Sequence, residues 1–266
     1  MQNFKVQYWK LLESGPVLSK KLGRITNITT AIMTKKSRLG KCPICGHRTL
    51  FYMSDWRPRE GLRCLVCKSS PRERALMMVI DEICPNYREL YIHESSPDGA
   101  VSDKLMSQCR HYSSSQFFTD VTLGTKKGKF HCEDLRNLTF ADNSFDLMVT
   151  QDVFEHVINP DNAFREIART LRSGGQHIFT IPWNPKISTR IRATDRGNGI
   201  EYLENPVYHG NPIDRVKGSL VATDWGKELA QTIYAASGLV TQIYRIKDRA
   251  SGIAPEFMDV FVSSKD

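Results

Sequence analysis

Residues 145–181 read FDLMVTQDVFEHVINPDNAFREIARTLRSGGQHIFTI, and the architecture follows from this segment. Its ends, 145–150 and 176–181, are short apolar runs of the kind that form strands buried on both faces. Between them Ala163, Phe164, Ile167, Ala168 and Leu171 recur at helical spacing, which predicts a helix over 160–172 with one buried stripe. Asn159 is its expected cap, Pro160 its first residue and Gly174 its stop. Strand, helix and strand in this order belong to a parallel sheet covered by helices on both faces.

The alternation continues in both directions. Upstream, strands are predicted at 89–93, 115–119 and 129–133 and a helix at 99–109. Before them Ser70 caps a helix that Pro71 opens, with Leu76, Val79, Ile80 and Ile83 on its apolar side. Downstream, a loop-rich stretch at 182–222 precedes a helix at 224–237, ended by Gly238, and strands at 240–247 and 256–263. These last two are joined by a loop too short for a crossover, so one runs antiparallel to its neighbour.

At 266 residues, 40% hydrophobic and 25% charged, the chain suits one full-sized globular domain with a small accessory module. No run reaches the roughly 18–20 apolar residues that cross a bilayer, and the first residues lack a signal-peptide core. No transmembrane segment and a cytoplasmic location are therefore expected.

Four of the seven cysteines form two C-x2-C pairs, Cys42 with Cys45 and Cys64 with Cys67, separated by 18 residues. Two tight turns of this kind, brought together by a hairpin, supply a closed tetrahedral shell of four thiolates. The expectation is a structural Zn2+ that supplies folding energy to about 40 residues otherwise too few for a core. Two disulfides or a redox pair are the alternatives. Cys84, Cys109 and Cys132 are scattered and read as buried thiols, and His47 as a bystander. The expected organisation is a basic leader at 1–40 with an amphipathic start, a zinc ribbon at 41–70 and an α/β domain at 71–266.

Charge is uneven along the chain. Residues 1–75 hold 16 Lys and Arg against 4 Asp and Glu, whereas residues 76–266 hold 21 against 25. A basic front end suits nucleic acid, an anionic lipid surface or a phosphorylated substrate, and equally a solvated face beside four thiolates.

A parallel sheet ending in an antiparallel hairpin is the architecture of class I methyltransferases, and Leu138 to Val157, LTFADNSFDLMVTQDVFEHV, resembles that family. The similarity runs on through Leu171-Arg-Ser-Gly-Gly175 and covers about 88–264. It is nearest to the zinc-ribbon-bearing branch of small-molecule and sugar methyltransferases. The resemblance implies a Rossmann-like sheet of seven strands with the last hairpin antiparallel, and S-adenosylmethionine (SAM) as cofactor.

Within that frame Asp120 is the candidate for the ribose, by analogy with the acid that holds ribose in dinucleotide folds. Asp134, with Leu135 beside it, is the candidate for the adenine. The first strand departs from the family's acid and Gly-x-Gly loop: Glu94 takes the acid's place, Ser95 and Ser96 offer hydroxyls, and only Gly99 remains. Gln151, Asp152 and Val153, after the fourth strand, line the cofactor.

Glu155 and His156 are the nearest polar pair on the substrate side, with His156 a candidate general base. Asp152, Glu155 and His156 also resemble an arrangement that binds a second divalent cation in some oxygen-methylating relatives. Tyr208 and His209 belong to the expected acceptor loop at 201–212, with Trp183 as a wall. The leading expectation is methyl transfer to a small-molecule or carbohydrate acceptor. RNA methylation, with Phe51, Tyr52 and Trp56 as the ribbon's aromatics, and a non-catalytic zinc-dependent interaction protein are the alternatives.

Overall fold

The computed structural model describes residues 37–54, 56–210, 216 and 218–266. The leader therefore lies outside the described residues up to Lys36, as do Asn211 and Pro212 of the acceptor loop. No helix among the described residues is long and apolar enough to cross a membrane.

The chain begins with a three-stranded antiparallel sheet, β1 (Arg38–Lys41), β2 (Arg48–Met53) and β3 (Leu62–Cys64). Helix α1 (Pro71–Ile83) follows, opened as predicted: the Ser70 hydroxyl accepts the Glu73 N–H, and the Glu73 carboxylate accepts the Ser70 N–H at 2.8 Å. Then come β4 (Tyr91–Ser95), α2 (Gly99–Gln108), β5 (His111–Gln116), β6 (Lys126–Lys127), β7 (Phe130–Cys132), β8 (Phe145–Gln151), α3 (Asp161–Thr170) and β9 (Leu171–Thr180).

An inserted region carries three small antiparallel pairings among β10 (Arg190–Ile191), β11 (Ala193–Asp195), β12 (Ile200–Tyr202), β13 (Tyr208–His209), β14 (Ser219–Leu220) and β15 (Thr223–Asp224). Helix α4 (Leu229–Ser237), stopped by left-handed Gly238, leads into β16 (Val240–Asp248) and β17 (Ile253–Ser264).

The main sheet has the order β16-β17-β9-β8-β4-β5-β7-β6. β4, β5, β7, β8 and β9 run parallel, and β17 is antiparallel to both β9 and β16. This is the Rossmann-like methyltransferase sheet expected from the sequence, extended by one short edge strand, β6, antiparallel to β7. The connection from β5 to β7 carries that strand instead of a helix. Strand order reverses between β4 and β8, and the carboxyl ends of those two strands border the crevice where open α/β sheets bind ligands.

Helix α3 starts at Asp161, one residue later than predicted. Asn159 takes a left-handed φ of 54°, and its side chain bonds to Asp195 and Thr194 of the insertion and not to the helix. Gly174, also left-handed, lies within β9, beside the register shift against β8.

Two apolar layers cover the sheet. On one side Phe154, Phe164, Ile167, Trp225, Leu229 and Ile233 pack against Met148, Phe179 and Phe261. On the other, Leu76, Ile80, Val101 and Leu105 of α1 and α2 share one core with Phe51 and Leu62 of the small sheet and with Ile246 and Val260 of the terminal hairpin. The ribbon is thus welded to the larger domain. Lys41 N–H donates to the Ala250 carbonyl at 2.9 Å, and Gly252 leaves room for the Phe51 ring where any side chain would collide.

Two histidines sit inside the sheet. His93 is bonded through both ring nitrogens to Ser113 and Ser115 at 2.9 Å. His177 stacks on Phe179 with centroids 4.4 Å apart, and its Nδ1 is buried without a partner. Burial holds both rings neutral down to about 3. Their folded pKa lies below the unfolded value of about 6.5, so the unfolded chain binds more protons between those limits. Stability should fall as pH drops through that window. The His177→Phe variant is expected to be more stable than the wild type at pH 4 by about 2–3 kcal/mol relative to the difference at pH 7. Urea unfolding at both pH values checks this; an equal difference at the two refutes it.

Candidate functional site

Cys42, Cys45, Cys64 and Cys67 come together with all four sulfurs within 4.8 Å of one another. Cys42 Sγ lies 3.6 Å from Cys67 Sγ, and Cys45 Sγ 3.9 Å from Cys64 Sγ. Four sulfurs around one zinc at about 2.3 Å stand roughly 3.8 Å apart, so the donor set and its spacing fit the ion. The turns that shape the site are backbone turns: Gly46 N–H donates to Cys42 O, and Lys68 N–H to Cys64 O. His47 is exposed, as expected of a bystander, and Cys84, Cys109 and Cys132 are buried.

From the ribbon and α1, two arginines reach the carboxyl edge of the main sheet. Arg59 Nη2 donates to Asp152 Oδ1 at 2.9 Å. Arg72 lies 3.3 Å from Asp152 Oδ2, 2.7 Å from Glu60 Oε1, and donates to Gln151 Oε1 at 3.1 Å. Burial pushes the Asp152 carboxyl up, but the two guanidiniums outweigh it and hold it below the usual range. Asp152 has a left-handed φ of 50°, turning the chain sharply off β8.

Gln151 carries the network inward, donating to Glu94 Oε1 at 2.9 Å. Ser102 donates to the same oxygen at 2.7 Å, and Tyr112 to Glu94 Oε2 at 2.7 Å. Glu94 is fully buried, and burial raises its pKa. Both of its oxygens are engaged within the protein, so it ties β4, α2, β5 and β8 together. Ser95 is likewise turned inward, toward the Ser115 hydroxyl.

The loop from Ser96 to Gly99 has left-handed residues at both ends. A Cβ on Gly99 would collide with the Glu73 carboxylate, which accepts the Ala100 N–H. One buried acid therefore caps α1 and α2 together, and the surviving glycine answers to that acid.

On the other side of the crevice Asp134 accepts the Arg136 N–H at 2.9 Å and pairs with the Arg136 guanidinium at 2.7 Å, beside buried Leu135. Asp120 was expected to end the second strand, but β5 ends at Gln116. Asp120 instead stands exposed, 3.0 Å from Lys127 of β6.

Beyond Asp152 the chain turns through Val153 and Phe154, whose ring stacks on Phe164 at 4.4 Å. The next two residues are clamped by the insertion. Ala222 N–H donates to Glu155 O at 2.7 Å, and His156 Nδ1 lies 2.8 Å from Leu220 O. β14 also pairs with β13, placing His209 opposite Ser219. Glu155, His156 and His209 end with ligating atoms within 4.8 Å of one another. His209 thus completes the group for which the sequence suggested Asp152. Burial, reinforced by nearby Asp152, pushes the Glu155 carboxyl up to about 8, and burial pushes the His156 ring down.

Tyr208 is exposed, and a hydrogen bond with Tyr202 raises its pKa. Trp183 packs edge-on against Phe261 and donates to Gly226 O at 2.7 Å. Of the ribbon's aromatics, Phe51 is in the core, Tyr52 lies under Lys68, and Trp56 is 86% exposed.

Sequence reading missed Arg59, Arg72 and Glu73. The run of charge at 57–74 was the available signal, but nothing in it points to partners 93, 79 and 27 residues away. The insertion is held by a further charged cluster it did not foresee: Arg190 and Arg192 against Asp224 and Glu204.

Residues 100–179, from α2 into β9, match the family model of a methyltransferase domain. The structure is similar to the YcgJ protein from Bacillus subtilis, at 13% identity over 72% of this chain and 98% of that one, with a TM-score of 0.46. It is similar to a SAM-dependent methyltransferase from Mesorhizobium loti, at 14% identity over 71% and 97%, TM-score 0.45. A third is CalS10, an amino pentose methyltransferase from Micromonospora echinaspora, at 13% identity over 74% and 92%, TM-score 0.46. No curated protein sequence matches. The chain thus combines a methyltransferase-domain match over residues 100–179 with a Rossmann-like strand order. It carries the four-cysteine arrangement of a zinc ribbon on its front.

Proposed function

We propose that the chain transfers a methyl group from SAM to an oxygen of a small-molecule or sugar acceptor. The observation that carries this reading is the polar cluster of Glu155, His156 and His209, assembled at the carboxyl edge of the sheet directly after Gln151–Val153. The donor set along that edge suits the cofactor. Asp134 and Leu135 would take the adenine and ribose end, an acid for hydrogen bonds beside an apolar wall. Ser96 and the partly exposed Arg59 guanidinium would take the methionine end, where a carboxylate needs donors and positive charge. Glu94 and Gln151 act as positioning residues that fix the β4 and β8 turns.

SAM, when bound, supplies an electrophilic methyl group. The residues on the insertion side bind the acceptor and align its oxygen; alignment accounts for much of the acceleration in such transfers. With its Nδ1–H directed at the Leu220 carbonyl, neutral His156 keeps an Nε2 lone pair facing the cluster, ready to receive a hydroxyl proton. Tyr208 and Trp183 would form walls of the acceptor pocket, and the Cys42, Cys45, Cys64 and Cys67 site would hold structural zinc.

Calorimetry with SAM tests the cofactor half. The wild type should bind, and Asp134→Ala should weaken binding at least tenfold, by about 1.4 kcal/mol. A wild type that does not bind SAM overturns the proposal in favour of a non-catalytic scaffold. Labelled SAM incubated with cell extract tests the acceptor half, with separate pretreatment by ribonuclease, protease or glycosidases. Loss of labelling after glycosidase, or persistence in a small-molecule fraction, supports it. Loss after ribonuclease alone replaces it with RNA methylation, for which the basic front end would supply backbone contacts.

A further inference from the structure

We propose that Glu155, His156 and His209 form a divalent-cation site distinct from the four-cysteine site. The cluster is built from two regions by one hairpin. β14 receives the His156 ring at the Leu220 carbonyl and holds β13 with His209 against it, and Ala222 just beyond β14 clamps the adjoining Glu155 backbone. A carbonyl on Nδ1–H is the support a metal-binding imidazole ordinarily has, because it fixes the ring and leaves Nε2 as the donor. That Nε2 is 3.7 Å from Glu155 Oε1. The two imidazoles stand perpendicular, with centroids 5.4 Å apart, so they converge without stacking.

The second observation is a deficit. The Glu155 side chain is 2% exposed, and its Oε2 is buried with no hydrogen-bond partner. A carboxylate oxygen left unpaired in such a place is costly, and native proteins almost always satisfy it. A cation bound between the carboxylate and the two imidazoles removes that deficit. Nearby Arg59 and Arg72 would repel it, but Asp152 and Glu60 neutralise both.

Two imidazoles and one carboxylate suit zinc, cobalt, iron or manganese rather than magnesium or calcium. With three protein donors and an exposed histidine on one side, coordination positions remain for water or a ligand oxygen. If the methyl-transfer reading holds, that oxygen is the acceptor's, and the cation polarises it in place of proton transfer to His156, whose Nε2 lone pair the cation then occupies. The binding claim does not depend on that reading.

The test is a titration of protein already filled with zinc at the four cysteines, using Co2+ alone, followed by calorimetry and visible absorption. One further equivalent should bind without sulfur-to-cobalt charge-transfer bands. His209→Ala, on an exposed hairpin, and Glu155→Gln should each lower that affinity at least tenfold, with circular dichroism unchanged for His209→Ala. Failure of the wild type to take up a second equivalent overturns the proposal, as does cobalt that shows only the thiolate signature. Unchanged affinity in His209→Ala does so too. No SAM or acceptor is present, so this result and the methyl-transfer result succeed or fail separately.

Discussion

Replacing Cys64 with serine is expected to lower the melting temperature by roughly 10–20 °C. Cys64 is fully buried, ends β3 and faces Cys45 across the four-sulfur cluster. Serine in its place leaves a three-sulfur site with much weaker zinc affinity, and structural zinc contributes folding free energy directly. The loss will not stop at the ribbon, because Phe51 and Leu62 share a core with α1, α2 and the β16–β17 hairpin. A loss of about 5 kcal/mol, at roughly 2–4 °C per kcal/mol for a chain of this size, gives the stated range. Calorimetric melting of the variant, and of the wild type with a strong chelator, should show the same drop. A wild type indifferent to chelation would mean that the cysteines hold no zinc.

The second large effect is expected at Arg74. Its side chain is completely buried, with one guanidinium nitrogen donating to the Ser69 carbonyl and hydroxyl and the other to Leu62 O at 2.7 Å and Gly252 O at 2.8 Å. The guanidinium also lies 4.5 Å from the Phe51 ring centroid. Burial lowers its pKa to about 10, and the charges of Cys42, Cys64 and Cys67 act in the opposite direction. Arg74 is thus a buried cation held beside the four-cysteine site. Arg74→Met should destabilise by about 3–5 kcal/mol, the cost of leaving buried charge and three carbonyls uncompensated. Arg74→Lys should recover less than half, because an ammonium cannot reproduce the planar fork. Urea unfolding of the zinc-loaded protein measures both; a loss below about 1 kcal/mol for the methionine variant contradicts the argument.

The sequence made the scaffold readable where local chemistry alone sets the outcome. Thiolate spacing located the ribbon, Ser70 and Pro71 placed the start of α1, and the stripe from Ala163 to Ile167 placed α3 to within one residue at its start and two at its end. What escaped was determined at a distance. Asn159 gave up its capping role for the insertion, whose two- and three-residue strands are too short to show a period. β5 ended at Gln116 and the following segment formed β6 where a helix would ordinarily lie, which left Asp120 beyond the strand end and paired with Lys127. The candidate site was half legible. Glu155, His156 and His209 were each singled out, but only the β13–β14 pairing brings the last to the other two. The arginines at 59 and 72 could not be assigned to Asp152 from residues so far along the chain.

The bonds from Lys41 to Ala250 and from Arg74 to Gly252 join parts of the chain 209 and 178 residues apart. During synthesis the cysteine turns leave the ribosome well before the hairpin that supplies those carbonyls. The nascent ribbon must therefore wait, its thiols open to oxidation or to a passing metal, until late-made backbone arrives to seal it. Such long-range closure slows folding, and the ribbon reaches its final packing only once the β16–β17 hairpin has formed.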